Sequence, residues 1–211
     1  MKIVMTAAAS TRERLLSAAL DLVRRRGFAA TSVEDLCRAA EVTKGAFFHH
    51  FASKEALGIA AAEHWSEVTG AFFATAPYHA HADPLDRFLG YIDFRAAIIA
   101  GGIGEFTCLV GTMAQEVWDS SPAIAAACAA SMTRHAGTLE ADIATAAAAR
   151  GLTDIDAPSL ALHTQAVLQG GFVLAKAAGD PGPARAAAAH LRRYVELLFH
   201  RGKAQPRDGQ S

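Results

Sequence analysis

Between positions 44 and 54 the chain places Lys44, Gly45, Phe47, Phe48, His49, His50 and Lys54. Ammonium and imidazole groups donate to phosphate oxygens and to the acceptor edges of bases, and an aromatic ring packs on a thymine methyl. The chemistry on offer is recognition of a nucleic acid rather than bond making. The usual signatures of bond making are missing: the chain has no G-x-S-x-G, no H-E-x-x-H, no phosphate-binding Walker loop and no paired CxxC. Gly101, Gly102 and Gly104 follow a helical segment instead of a strand, so they make no dinucleotide fingerprint. His79 and His81 share a loop, and two histidines are too few to specify a metal site. A helical enzyme or metal-binding protein is thus a remote alternative, and neither a cofactor nor a metal is expected.

Such a cluster works only if a short element holds it away from the body of the protein. Thr31 and Glu34 have the spacing of a capping box, which starts a helix at about Ser32. Val33, Leu36, Cys37 and Ala40 give that helix one apolar stripe. Glu41 and Val42 break the pattern, and Thr43 is placed to cap a second short helix from Lys44 to His50. Ser53 then caps a long helix from Lys54. Two short helices joined by a tight turn, residues 32–51, form a helix-turn-helix, whose second helix lies in the major groove. Phe47 and Phe51 point back at the first two helices as core. Upstream, Ser10 and Glu13 form another capping box and open a helix that Gly27 ends. Arg24, Arg25 and Arg26 are expected to complement its C-terminal dipole and face solvent.

Charge follows the same division. Residues 1–54 hold nine Lys and Arg against five Asp and Glu, a balance of +4, whereas the 211-residue chain has net charge −1 and its remainder therefore −5. Attraction to DNA needs a local basic surface, not a basic whole protein.

The stretch from Thr11 to Leu57, TRERLLSAALDLVRRRGFAATSVEDLCRAAEVTKGAFFHHFASKEAL, resembles the N-terminal region of the TetR-type repressors. The shared features are the opening helix, the Gly27-Phe28 stop, Thr31-Ser32-Val33, Val42-Thr43-Lys44-Gly45 and the HHFxSKEAL ending. The chain departs from the family pattern in carrying Glu41 where the turn has Gly and Phe48 where the recognition helix has Tyr. The resemblance implies a DNA contact surface of Thr31, Ser32, Thr43, Lys44, Gly45, Phe48, His49, His50 and Lys54. In that scheme Thr43 and the free N–H groups behind it hold a phosphate, Lys44 and Gly45 face base edges, and Phe48 packs on sugar or a thymine methyl. His49 and His50 reach phosphates or bases, with one of the two turned inward or to solvent. Lys54 neutralises a phosphate.

The expected architecture is all-α, with about nine helices. A three-helix DNA-binding domain spans 9–69, an effector-binding and dimerisation domain spans 70–202, and a disordered tail spans 203–211. Residues 1–8 are expected to fray. Pro77, Asp83-Pro84, Gly101-Gly102, Ser121-Pro122, Gly151, Asp156 and the turn 179–183 punctuate the second domain into helices ending at about 76, 100, 118, 151, 178 and 201, with a loop at 77–82. The last two helices carry Leu160, Val167 and Leu168, and Leu191, Tyr194, Val195 and Leu198. These are expected to pair with a two-fold copy as a four-helix bundle, since a homodimer is what a palindromic DNA operator requires. A small hydrophobic effector is expected among Phe72, Phe88, Tyr91, Phe94, Phe106, Cys108, Met113, Trp118, His163 and Phe172. Three cysteines without spacing, and an N-terminus without an apolar run of useful length, point to a reducing cytoplasm. Cys108 opens an alternative. Lys176 is the sole lysine between Lys54 and Lys203. If it lies beside Cys108, the thiol becomes an electrophile or oxidant sensor.

Overall fold

The computed structural model describes residues 9–200; the expected frayed start and the polar tail lie outside them. Ten α-helices and one 3-10 turn make up the described residues, with no strand among them. The head comprises α1 (Thr11–Arg26), α2 (Val33–Ala40), α3 (Lys44–His50) and the start of α4 (Lys54–Ala74). The body comprises α5 (Pro84–Ala97), α6 (Ile103–Phe106), α7 (Leu109–Val117), α8 (Pro122–Ala148), α9 (Ala157–Ala178) and α10 (Gly182–His200).

The helix starts follow from side chains that accept the otherwise unpaired first-turn N–H groups. Ser10 accepts from the Glu13 amide and Glu13 accepts in return. Thr43, Ser53, Asp83 and Asp156 each accept an amide of the helix that they precede. One expected cap is displaced. The capping box of α2 runs between Ser32 and Asp35, not Thr31 and Glu34. Thr31 is 1% exposed, and its hydroxyl donates to the Gly27 carbonyl at 2.6 Å, closing the α1–α2 turn.

The body also differs from expectation at two places. The segment 77–82 contains a 3-10 turn, Pro77–Ala80, which buries Tyr78. The helix expected from Gly102 to Trp118 is two helices, and the break between them makes the tenth. Thr107 is extended and buried, with its hydroxyl donating to the Ile103 carbonyl, and Cys108 caps α7.

The apolar core does not stop at residue 69. One cluster runs from Leu15, Leu16, Leu36, Phe47 and Leu57 through Met113 on α7 to Ile124 and Cys128 on α8. A second joins Phe73, Phe88, Tyr91, Leu139, Ile143, Leu168, Leu191 and Val195 within the body. α4 crosses both, so the head and the body share a wall.

Candidate functional site

At the tip of the head, α3 is pinned by one ring. Phe47 is fully buried, with Phe51 beside it at a centroid distance of 5.8 Å. Anchoring that face turns the opposite face outward: Thr43, Lys44, Gly45, Phe48, His49 and His50 are exposed together. Phe48 is 54% exposed and lies edge-on to Phe47 instead of folding back into the head. Lys44 pairs with Glu34 of α2, and that bond holds the Glu34 carboxyl below its usual range.

Two members of the expected contact set are committed elsewhere. Thr31 is buried in the α1–α2 turn and offers nothing to a ligand. Lys54 lies with its ammonium 4.5 Å from the Phe28 ring centroid and donates to the Ala29 carbonyl at 3.3 Å. Partial burial there lowers its pKa. Ser32 is exposed but its hydroxyl is engaged with Asp35.

Glu41, where the family pattern has Gly, has φ +52 and ends α2 in the left-handed region. Arg14 of α1 compensates by donating to the Glu41 carbonyl at 2.7 Å and to the Ala40 carbonyl.

Among the described residues the head is fastened to the body at points that the sequence does not announce, one of them the Ser121 hydroxyl donating to Glu55 at the start of α4. Glu116 of α7 accepts the Ala29 amide at 2.9 Å. Gly27, at φ +94, lies where a Cβ would strike that same carboxylate. A further point is Arg24, which is 5% exposed and does not face solvent as expected. Its guanidinium bonds the Leu20 carbonyl, reaches the Glu105 carbonyl of α6 at 3.3 Å and lies over the Trp65 ring. A buried cation with two carbonyls and a ring face is stable there, though burial lowers its pKa.

Directly behind Arg24 is a cavity of about 60 Å³, walled by α4 (Trp65, Phe72, Phe73), α6 (Glu105, Phe106), Cys108, α8 (His135) and α9 (Gln165, Phe172). Of the expected effector residues, Phe72, Phe106, Cys108 and Phe172 line it. Phe94 stands one layer back, against Phe72 and Phe73. Phe88, Tyr91 and Met113 are fully buried core. Trp118 is 71% exposed on the surface, and His163 lines a separate outer groove with Tyr194. Arg95, His135 and Gln169 are lining residues without a sequence signal, because only the tertiary fold brings α5, α8 and α9 together.

Cys108 and Lys176 come near each other without bonding directly. Both line a smaller void beside the main cavity, where the Lys176 ammonium donates to the Thr112 hydroxyl and the Cys108 sulfur accepts the Gly111 amide at 3.4 Å. Burial lowers the Lys176 pKa.

The expected dimer residues divide. Leu160, Leu168, Leu191 and Val195 are buried within the single chain, and Val167 and Leu198 are partly covered. Of the expected set Tyr194 alone is exposed, and the other exposed large apolar side chains of α9 and α10 among the described residues are Leu162, Val173, Leu174 and Leu197. Both helices are apolar on more than one face, so period alone did not separate inner from outer.

Comparison with known proteins decides the family. Residues 15–61 match the model for bacterial regulatory proteins of the tetR family, and residues 84–191 match the tetracyclin repressor-like C-terminal domain. The chain belongs to the TetR family. A 53-residue stretch of the chain is 47% identical to the Escherichia coli K12 transcriptional repressor NemR, covering 25% of this chain and 27% of that protein. The DhaR repressor of Mycobacterium sp. GP1 is 31% identical over 106 residues, 50% of this chain and 52% of that protein. Over these alignments the TetR-family chain spans between a quarter and a half of its curated relatives' length. The structural likeness extends further. Reduced Escherichia coli NemR superposes with TM-score 0.75 and 26% identity over 87% of this chain and 95% of that one. A TetR regulator from Chloroflexus aurantiacus gives TM-score 0.76 and 28% identity over 88% and 94%. Among the described residues no helix is long and apolar enough to cross a membrane.

Proposed function

We propose that this TetR-family chain is a homodimeric transcriptional repressor that leaves its palindromic operator when a small, largely apolar effector fills the cavity behind Arg24. The observation that carries the reading is the continuity of the path. The cavity wall includes Trp65 and Glu105, the residues that hold Arg24, and α1 carries Arg24 into the same core as α3. An effector that moves α6 therefore moves the head, and it acts only through its different affinity for the two arrangements. In the groove, Thr43 and the α3 amides meet a phosphate, Lys44 and Gly45 face bases, and Phe48 meets sugar or a thymine methyl. Lys44 exchanges Glu34 for the DNA, which lowers its net contribution. Leu162, Val173, Leu174, Tyr194 and Leu197 form the two-fold contact.

Anisotropy titrations of operator and random duplexes across salt concentrations test the reader. Lys44→Ala is expected to weaken operator binding and relax one base position; equal losses on both duplexes contradict a base-reading role. Leu174→Glu with Leu197→Glu is expected to give a monomer by sedimentation and to abolish operator binding. Val110→Trp, which intrudes on the cavity wall, is expected to change operator affinity with α3 untouched. Unchanged affinity would break the link between cavity and head.

The shared void of Cys108 and Lys176 favours a second reading, in which adduct formation at Cys108 takes the place of ligand binding. N-ethylmaleimide is then expected to release the wild-type protein from DNA but not Cys108→Ser. An unmodified Cys108 in the peptide map sinks that reading.

A further inference from the structure

The cavity is not chemically neutral. Arg95 of α5 lines it, half-buried, with its guanidinium 5.3 Å from the Phe73 ring centroid and 5.5 Å from that of Phe172. No carboxylate of the described residues lies within ion-pairing distance of it, and unlike Arg24 and Arg185, which also lack an ion pair there, it donates to no carbonyl among the described residues. Ring faces offset part of the cost of a sheltered cation but accept none of its in-plane N–H groups, which have no hydrogen-bond acceptor among the described residues. The one acidic lining residue, Glu105, accepts the Gly102 amide at 2.9 Å and acts electrostatically on Arg24 and Arg25 of α1.

The neighbouring polar groups are ordered as donors too. Gln165 donates its amide to the Tyr91 oxygen at 2.9 Å, so the single Tyr91 proton goes to His135 Nε2, also at 2.9 Å. A neutral imidazole that accepts at Nε2 carries its proton at Nδ1. Burial, with the Arg95 charge adding to it, keeps His135 neutral by moving its pKa down to about 3. The cavity thus offers a guanidinium and an imidazole N–H between the aromatic walls Phe72, Phe106 and Phe172.

We infer that the effector is an organic monoanion, a carboxylate on a flat apolar body, bound through Arg95 with the His135–Tyr91–Gln165 chain holding the second donor in place. The inference rests on the cavity being the effector site. In the present form it holds only about four waters, so a one-ring acid enters by parting α4, α6 and α9, which is what would transmit its arrival to Arg24.

Benzoate, trans-cinnamate and indole-3-acetate, each paired with its neutral amide, are the probes. Calorimetry and operator release are read on the full chain. At least one acid is expected to bind ten-fold or more tighter than its amide and to release DNA. That preference should vanish in Arg95→Gln and persist, weakened, in Arg95→Lys, which also guards against a folding defect. Acids that bind no better than amides, or not at all, overturn the inference, as does a preference unchanged in Arg95→Gln. Amides that bind and release DNA leave the effector cavity standing while removing the anion. A Val110→Trp protein with unaltered DNA binding and unaltered probe binding removes the cavity itself.

Discussion

The head and the body are both helical, yet they are specified differently. In the head the helix starts are set by contacts within a few positions of one another: Ser10 with Glu13, Ser32 with Asp35, Thr43 with Ala46, Ser53 with Ala56. In the body they join distant helices: Arg87 with Asp142, Arg150 with Asp83, Tyr91 with His135 and Gln165. A locally encoded reader can be shortened to a seven-residue helix and still point the right way. A non-locally encoded body can drift in sequence around a changing cavity while the head stays constant.

The largest test of this division is Phe47→Ala. Removing a fully buried ring costs about 3–5 kcal/mol, and the loss should fall on the head. Hydrogen exchange is expected to show α1 to α3 unprotected while α9 and α10 keep their protection. A uniform loss would mean that the shared core makes one cooperative unit. Next is Tyr91→Phe in the body, which leaves the Gln165 amide without its acceptor and His135 Nε2 without its donor, a cost of about 1–3 kcal/mol in denaturant melts. Its effect on operator affinity without effector should be small, since the head's caps are untouched. Thr43→Ala removes a local cap worth about 1 kcal/mol; under the proposed phosphate contact it should weaken DNA binding beyond that, whereas a loss limited to the cap would leave Thr43 a purely structural residue. Glu41→Gly is the smallest change and has the opposite sign. Relief of left-handed strain at φ +52 is expected to stabilise by about 1 kcal/mol, more than the exposed Arg14–Glu41 pair at 3.8 Å returns. A lower melting temperature for Glu41→Gly would show that the Arg14 clamp, and not backbone freedom, sets this turn.

His135 adds a pH test. Its folded pKa lies at about 3 against an ordinary 6.5, so between those values the unfolded chain binds the extra proton. Stability is therefore fully present above about pH 6.5 and falls as the pH drops towards 3, by at most about 1.4 kcal/mol per unit. His135→Gln should flatten that slope, and an unchanged slope would mean that other groups carry it.

The same division explains what could be read from the sequence alone. The head's helix boundaries, the α3 anchor Phe47 and the exposed recognition face follow from local capping and spacing. Thr31 was misplaced because Thr31 and Ser32 are both capping types, and the tertiary turn at Gly27 chose between them. In the body, punctuation by Pro and Gly gave most helix ends, but the Thr107–Cys108 break has neither residue. The apolar faces of α9 and α10 could not be assigned by period, since Leu160 and Leu162 both look like core until a neighbour covers one of them. Arg24, Arg95 and Glu116 were illegible for a simpler reason: a charged side chain reads as surface unless its partner, far along the chain, is known.

The chain has two tryptophans, and the fold gives them opposite surroundings. Trp65 stands in the cavity wall under the Arg24 guanidinium, whereas Trp118 lies in the open. Iodide should quench Trp118 more strongly than the partly buried Trp65, leaving an intrinsic fluorophore in the cavity wall. Occupancy of the cavity can then be followed optically in the unlabelled protein, at the joint through which the proposed signal would pass.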